Sequence, residues 1–298
     1  MPLSRLRTAG EVAWDIVRRV WYQSADDNVL FLASGLAFNV LLALVPFVLL
    51  LISGIAWLLG TQPDQAAQLV TDLLQTLLPP DAPGIFDLLQ GIVNDVLRTR
   101  GTVGIYSAIV FAWFSTRLFG SLRSVLALIF DGQDRGIVAG KIFDLLATLV
   151  ATAAVCIYLA LSAYLDFATS TGVTLLERAG FEGTALSRLE YLGGRLLAEV
   201  VIFALFLALY RGLPRRRPAW RTAAVAAATT TILVELARNA YAGLLMRADL
   251  SSLYTGTIAV IVSVVFWTYY GALLFLIGGE LAQATELRRA ELARLTPD

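Results

Sequence analysis

From Val29 to Leu59 the chain reads VLFLASGLAFNVLLALVPFVLLLISGIAWLL, without one ionisable side chain. A helix needs only about 20 mostly apolar residues to cross a hydrocarbon core of about 30 Å, so this stretch reads as a membrane-spanning helix. No water inside a bilayer can satisfy stray N–H and C=O groups, and later segments of the same character must therefore also be helices or parts of a closed barrel. The fold class expected is all-α, a polytopic bundle of membrane helices.

Composition agrees where it bears on solvent. With 58% apolar and only 15% charged residues, and a mean hydropathy of +0.72, the chain is built to face lipid over much of its surface. The 23 Lys and Arg balance 23 Asp and Glu, which leaves no basic excess to neutralise phosphates; nucleic acid is not an expected partner. Cys156 stands alone in an apolar run, so it forms no intrachain disulfide and reads as a small buried residue. Histidine is absent, which removes His metal sites, Ser-His-Asp and Cys-His catalysis and imidazole acid-base chemistry. No metal, no cofactor and no enzymatic activity are expected.

Six spans are expected, at 29–59, 102–130, 142–165, 192–210, 219–246 and 254–281, within one membrane domain covering 1–298. The fourth and fifth are the weakest, since the fourth carries Arg195 and Glu199 and the fifth Glu235, Arg238 and Asn239. Before the first span, Thr8-Ala-Gly-Glu11 has the form of a capping box, and Val12, Ala13, Ile16, Val17, Val20 and Trp21 recur at helical spacing. An amphipathic helix is expected there, lying along the inner membrane surface with Trp14, Trp21 and Tyr22 at headgroup level. The insertion 61–100 holds two further apolar stripes, broken at Pro79-Pro80 and interrupted by polar residues. These read as two amphipathic helices on the outer side.

Orientation follows from basic residues near the spans. Arg5, Arg7, Arg18 and Arg19, then Arg135 and Lys141, Arg211 with Arg215 to Arg217 and Arg221, and finally Arg288, Arg289 and Arg294 fall on the side of the N-terminus. Only Arg98, Arg100, Arg178, Arg188 and Arg247 fall on the other. Both termini are expected in the cytoplasm. The leading residues are too polar, and the run after them too long, for a cleavable signal.

Polar groups at membrane depth each cost about 2.5–3.5 kcal/mol at a helix centre, so they mark either function or helix-to-helix glue. Arg117 lies about 22 Å down the second span at 1.5 Å per residue, too deep to reach a headgroup easily. Glu235 with Arg238, and Arg195 with Glu199, are spaced to neutralise each other within one helix, which leaves Arg117 the odd charge. Arg117, Glu199, Glu235, Arg238, Asn239 and Asn39 are the candidate lining of a polar cavity that receives an anionic head group or solute; paired structural charges are the equal alternative. Pro46, about two turns after Asn39, is a candidate hinge or binding niche because it frees the carbonyl of Leu42; packing alone is the alternative. In the last span Gly278, Gly279 and Glu280 form a cytoplasmic-end motif, small enough for close helix approach. Glu280 reads there as a headgroup-level carboxylate capped by water.

Ala33-Ser-Gly-Leu-Ala-Phe-Asn-Val-Leu-Leu-Ala-Leu-Val-Pro46 resembles the first-span signature A-x-x-L-A-[YF]-x-x-L-L-[SA]-L-[VF]-P of the YihY/virulence-factor BrkB family of bacterial inner-membrane proteins. Trp113-Phe-Ser-Thr-Arg-Leu-Phe-Gly-Ser-Leu-Arg-Ser124 is similar to that family's second-span stretch, and Gly278-Gly-Glu-Leu-Ala-Gln-Ala284 to its last-span ending. The resemblance implies a six-span transporter-like protein, suspected in some members of moving lipids or lipid-linked molecules. It also implies the historical name ribonuclease BN, which this sequence disfavours: it has no His, no exposed metal-carboxylate cluster and no basic surface for RNA. The function expected is a passive or ion-coupled carrier of a lipid or an anionic solute, since no G-x-x-x-x-G-K-[ST] loop couples ATP and the one lysine, Lys141, follows Ala-Gly. A non-transporting scaffold for cell-envelope machinery is the alternative. Membrane lipids, and a second copy of the chain, are the partners expected.

Overall fold

The computed structural model describes residues 9–59, 102–130, 138–154, 199–247 and 257–295. Their helices, in chain order, are α1 (Ala9–Asp26), α2 (Val29–Leu59), α3 (Thr102–Ile129), α4 (138–154), α5 (199–212), α6 (Trp220–Arg247) and α7 (Thr257–Leu295). The run without ionisable residues is α2 from end to end, and it stays helical through Pro46. Helices α3 and α6 match their expected limits to within a residue. The outer insertion 61–100, the later part of the third expected span, and Arg195 lie outside the described residues.

Among the described residues, three stretches are long and apolar enough to cross a membrane: Val29–Leu50, Ile105–Ile129 and Ile261–Glu291. Helix α6 does not join them; it carries Arg221, Glu235, Arg238 and Arg247 along its length.

The largest departure from expectation is α7. Hydropathy predicts a span ending near residue 281, yet the helix runs on to Leu295, 39 residues in all. At 1.5 Å per residue that is about 58 Å, far more than a bilayer core needs. The reason is local: residues 282–295 are Ala, Leu, Glu, Arg, Gln and Thr without Gly or Pro, and most of these are good helix formers. A hydropathy boundary marks where lipid stops, not where the helix does.

That extension receives α1. Asn28, at φ 51°, interrupts the helix between α1 and α2, a left-handed conformation Asn tolerates better than most residues. Its carbonyl then accepts the Phe31 and Leu32 amides that start α2. Arg19 donates through both terminal nitrogens to the Glu291 carboxylate, at 3.0 and 2.9 Å, and Asp15 lies 3.6 Å from Arg288. The Glu291 hydrogen bonds hold the Arg19 proton more tightly than usual. Helix α1 therefore packs on the end of α7, with Ile16 and Val20 turned partly inward, while Trp14, Val17, Trp21 and Tyr22 remain exposed.

Successive helices are antiparallel where contacts fix their sense. On the α2–α3 seam Asn39 meets Ser121 and Phe47 meets Phe111; on α6–α7, Gly278 lies against Thr230 and Tyr241 against Phe266. The core gathers Val29, Ala33 and Leu36 of α2, Leu126 and Ile129 of α3, Tyr210, Ala223 and Ala226, and Leu276 and Ala282 of α7. It sits at the end of the bundle that carries α1. Alanines recur among the larger side chains, notably Ala223, Ala226 and Ala227 on α6, and small residues at such positions let helices approach closely.

Candidate functional site

Two polar clusters occur at depth, and they differ in kind. The first is a knot between α5, α6 and α7. The Tyr210 hydroxyl donates to the Phe275 carbonyl at 2.5 Å and lies 2.6 Å from Thr230 Oγ1, while its ring stacks on Phe275 with centroids 4.6 Å apart. Gly278 makes the knot possible. A Cβ there would sit 2.0 Å from Thr230 Oγ1 and 3.2 Å from the Ala226 carbonyl. Gly279 beside it faces Ile129 and Tyr210, where a Cβ would come to 3.4–3.5 Å, an ordinary contact. Glu280 follows at 1% exposure, which corrects the expectation of a water-capped carboxylate: because α7 continues, this residue lies inside the packed bundle and not at its rim.

The second cluster is a valley of about 540 Å³. Helix α3 contributes Arg117, Gly120, Ser121 and Ser124, spaced at i, i+3, i+4 and i+7 so that they share one face. Helix α2 supplies Phe31, Leu32, Gly35 and Asn39 on one side, and α4 supplies Lys141 and Asp144 on the other. Arg117, Ser124, Lys141 and Phe31 are all exposed, so the valley opens sideways from the bundle. Its volume falls in the range of about 300–1,000 Å³ typical of ligand sites.

Three features build it. Asn39 donates to the Gly35 carbonyl and to Ser121 Oγ, both at 2.9 Å, which bolts α2 to α3 along the valley's edge. Arg123 Nε lies 3.1 Å from Asp144 Oδ1, and Nη2 lies 3.4 Å from Oδ2, a two-contact ion pair in which the side chains are 10% and 1% exposed. Glycines make room for that pair: a Cβ on Gly140 would come within 2.8 Å of Arg123 Nη2, and one on Gly120 within 3.2 Å of Asp144 Oδ2. Arg117 and Lys141 differ from Arg123; among the described residues neither makes an ion pair or a side-chain hydrogen bond.

The structure brings Arg117 and Asn39 to one site and leaves the other expected cavity residues elsewhere. Glu235, Arg238 and Asn239 form a cluster on α6 itself: Arg238 Nη1 is 3.8 Å from Glu235 Oε2, and Asn239 donates to the Glu235 carbonyl at 2.8 Å and to its Oε1 at 3.1 Å. They lie outside the valley's lining. Their spacing along α6 lets them interact within that one helix. Glu199, half-buried on α5, is likewise outside that lining. The single cavity expected from these residues is thus a valley with different members, Ser121, Arg123, Ser124, Lys141 and Asp144. Asp144 had a signal in the sequence: it is a carboxylate two residues into an expected span, with Arg123 near the cytoplasmic end of the span before it.

A separate hollow of about 390 Å³ lies on the interior side of α2 and α3, lined by Leu44, Phe47, Leu118, Val234, Trp267 and Phe275 among others. Its Thr268 hydroxyl is already bonded to the Val264 carbonyl at 2.7 Å. It offers a polar ligand almost nothing, so the valley is the candidate site.

Comparison with known proteins agrees with a helical membrane protein. A UPF0761 membrane protein of Rhodospirillum centenum is 26% identical over 299 residues, covering 99% of this chain and 62% of the relative, so the chain spans less than two thirds of that relative's length. No solved structure matches. The family model for virulence factor BrkB matches residues 20–298, and the chain belongs to that family.

Proposed function

We propose that the chain is a multi-pass carrier of the bacterial inner membrane, with six spans and both termini in the cytoplasm, and that the valley between α2, α3 and α4 receives an anionic group. One observation carries this reading. Arg117 stands about 18 Å from the end of α3 at 1.5 Å per residue, exposed and, among the described residues, without a counter-ion. A cation at that depth costs about 2.5–3.5 kcal/mol on insertion scales unless something offsets it. A structural charge would have been paired, as Arg123 is with Asp144.

No ATP-binding loop is present in the sequence, so movement is downhill or coupled to an ion. The test is reconstitution into liposomes with labelled phospholipid. Leaflet exchange several times faster than in protein-free vesicles supports the reading; equal rates remove it.

The second reading, a scaffold for envelope machinery, draws support from the rigid extension of α7 and its clasp with α1. Under it, valley substitutions leave vesicle behaviour untouched and the clasp becomes the sensitive region.

A further inference from the structure

The valley holds three cations, Arg117, Arg123 and Lys141, and one carboxylate, Asp144; three minus one leaves +2. Asp144 is committed to Arg123 through both oxygens. The unmatched charge therefore resides on Arg117 deep in the valley and on Lys141 near its mouth. Exposed apolar residues flank it: Phe38 on α2, Trp113 one turn before Arg117 on α3, and Ile142 and Leu145 on α4. The valley opens sideways between these exposed apolar residues, so a lipid lying against them need only slide its headgroup in while its chains stay outside.

We propose, resting on the reading of the valley as an anion receiver, that its ligand is a membrane lipid with a dianionic headgroup. The headgroup is a phosphate monoester on a hydrocarbon anchor, taken laterally from the leaflet at the α1 end. A phosphate monoester carries about −1.5 to −2 charges at neutral pH, with three strong acceptor oxygens, which matches the count of unmatched cations. A single phosphodiester carries one charge and leaves one cation in low dielectric unanswered. Arg117 presents a planar fork suited to phosphate oxygens, and Lys141 a point charge. The side chains of Ser121, Ser124 and Asn39 add polar partners along the way. Ser124 and Arg117 are separated by about 10 Å along α3. A phosphate held at Arg117 has thus left the headgroup plane while its chains stay in lipid.

The test uses the intact purified protein in mixed micelles, read by native mass spectrometry. Phosphatidate, phosphatidylglycerol, phosphatidylethanolamine and cardiolipin are offered at equal concentration, with and without inorganic phosphate. Phosphatidate should be retained over phosphatidylglycerol by about fivefold, the value of one matched charge near a membrane surface. Arg117→Gln and Lys141→Gln should each remove most of that preference. Arg238→Gln, on α6 outside the valley, should keep it. Equal retention of phosphatidate and phosphatidylglycerol, preference for cardiolipin, displacement by inorganic phosphate, or an undiminished preference in both valley variants would each overturn the proposal. Preference without leaflet exchange leaves the lipid site standing and removes the carrier; exchange without preference does the reverse.

Discussion

The Tyr210 knot and the valley are both polar places in an apolar bundle, and they solve the cost of polarity in opposite ways. In the knot the hydroxyl of Tyr210 is 0% exposed with its partners on two other helices, and glycine brings those helices close enough to close the site. In the valley the one buried pair, Arg123 with Asp144, is answered in the same manner, but Arg117 and Lys141 stand open on the side. A buried polar group with matched partners holds helices together; one left open at a cost marks a place where something else is meant to come. The difference separates glue from site inside a single chain.

That contrast can be broken at several points. The largest effect is expected from Gly278→Val. Its added carbons have no room beside Thr230 and Ala226, so the α6–α7 crossing must open, and the variant should give little folded protein by size-exclusion chromatography in detergent. Asp144→Ala comes next. Removing the carboxylate strips Arg123 of its buried counter-ion, and loss of one partner of a buried pair costs about 3–5 kcal/mol; the midpoint of detergent unfolding should fall accordingly. Tyr210→Phe keeps the ring on Phe275 but loses both hydrogen bonds, for about 1–3 kcal/mol by the same measurement. Arg19→Gln loosens the exposed clasp to Glu291 and should cost under about 1 kcal/mol, an effect that shrinks further at high salt. Smallest of all for stability is Arg117→Gln, expected to leave the unfolding midpoint unchanged or slightly raised. A knot residue that proved harmless, or an Arg117 substitution that unfolded the protein, would erase the distinction.

Sequence patterning reaches these helices readily because a long, mostly apolar run admits few alternatives; α2, without a single charge, coincides with its run, and α3 and α6 lie within a residue of theirs. The far end of α7 was hidden because hydropathy falls at Leu281 while helix propensity does not. For the site, Arg117 stood out by depth alone, and Asn39 by being an amide in an otherwise apolar run. What periodicity within a helix cannot tell is which faces of different helices meet. It groups Glu235, Arg238 and Asn239 with Arg117, although these three meet one another on α6 and lie outside the valley's lining. It passed over Asp144, whose partner lies on another helix and whose room is made by Gly120 and Gly140. Long-range pairing of this kind becomes visible only when the seams are known.

The distinction between an open valley and a closed knot is tested most directly by chemical access. In a chain with Cys156→Ser, Arg117→Cys and Thr230→Cys would each be exposed in native membranes to a water-soluble, membrane-impermeant thiol reagent applied from the side of α1. The expected result is rapid labelling at position 117 and no labelling at position 230. Equal inertness at both positions would mean that water does not reach Arg117, and the valley would then be another structural contact.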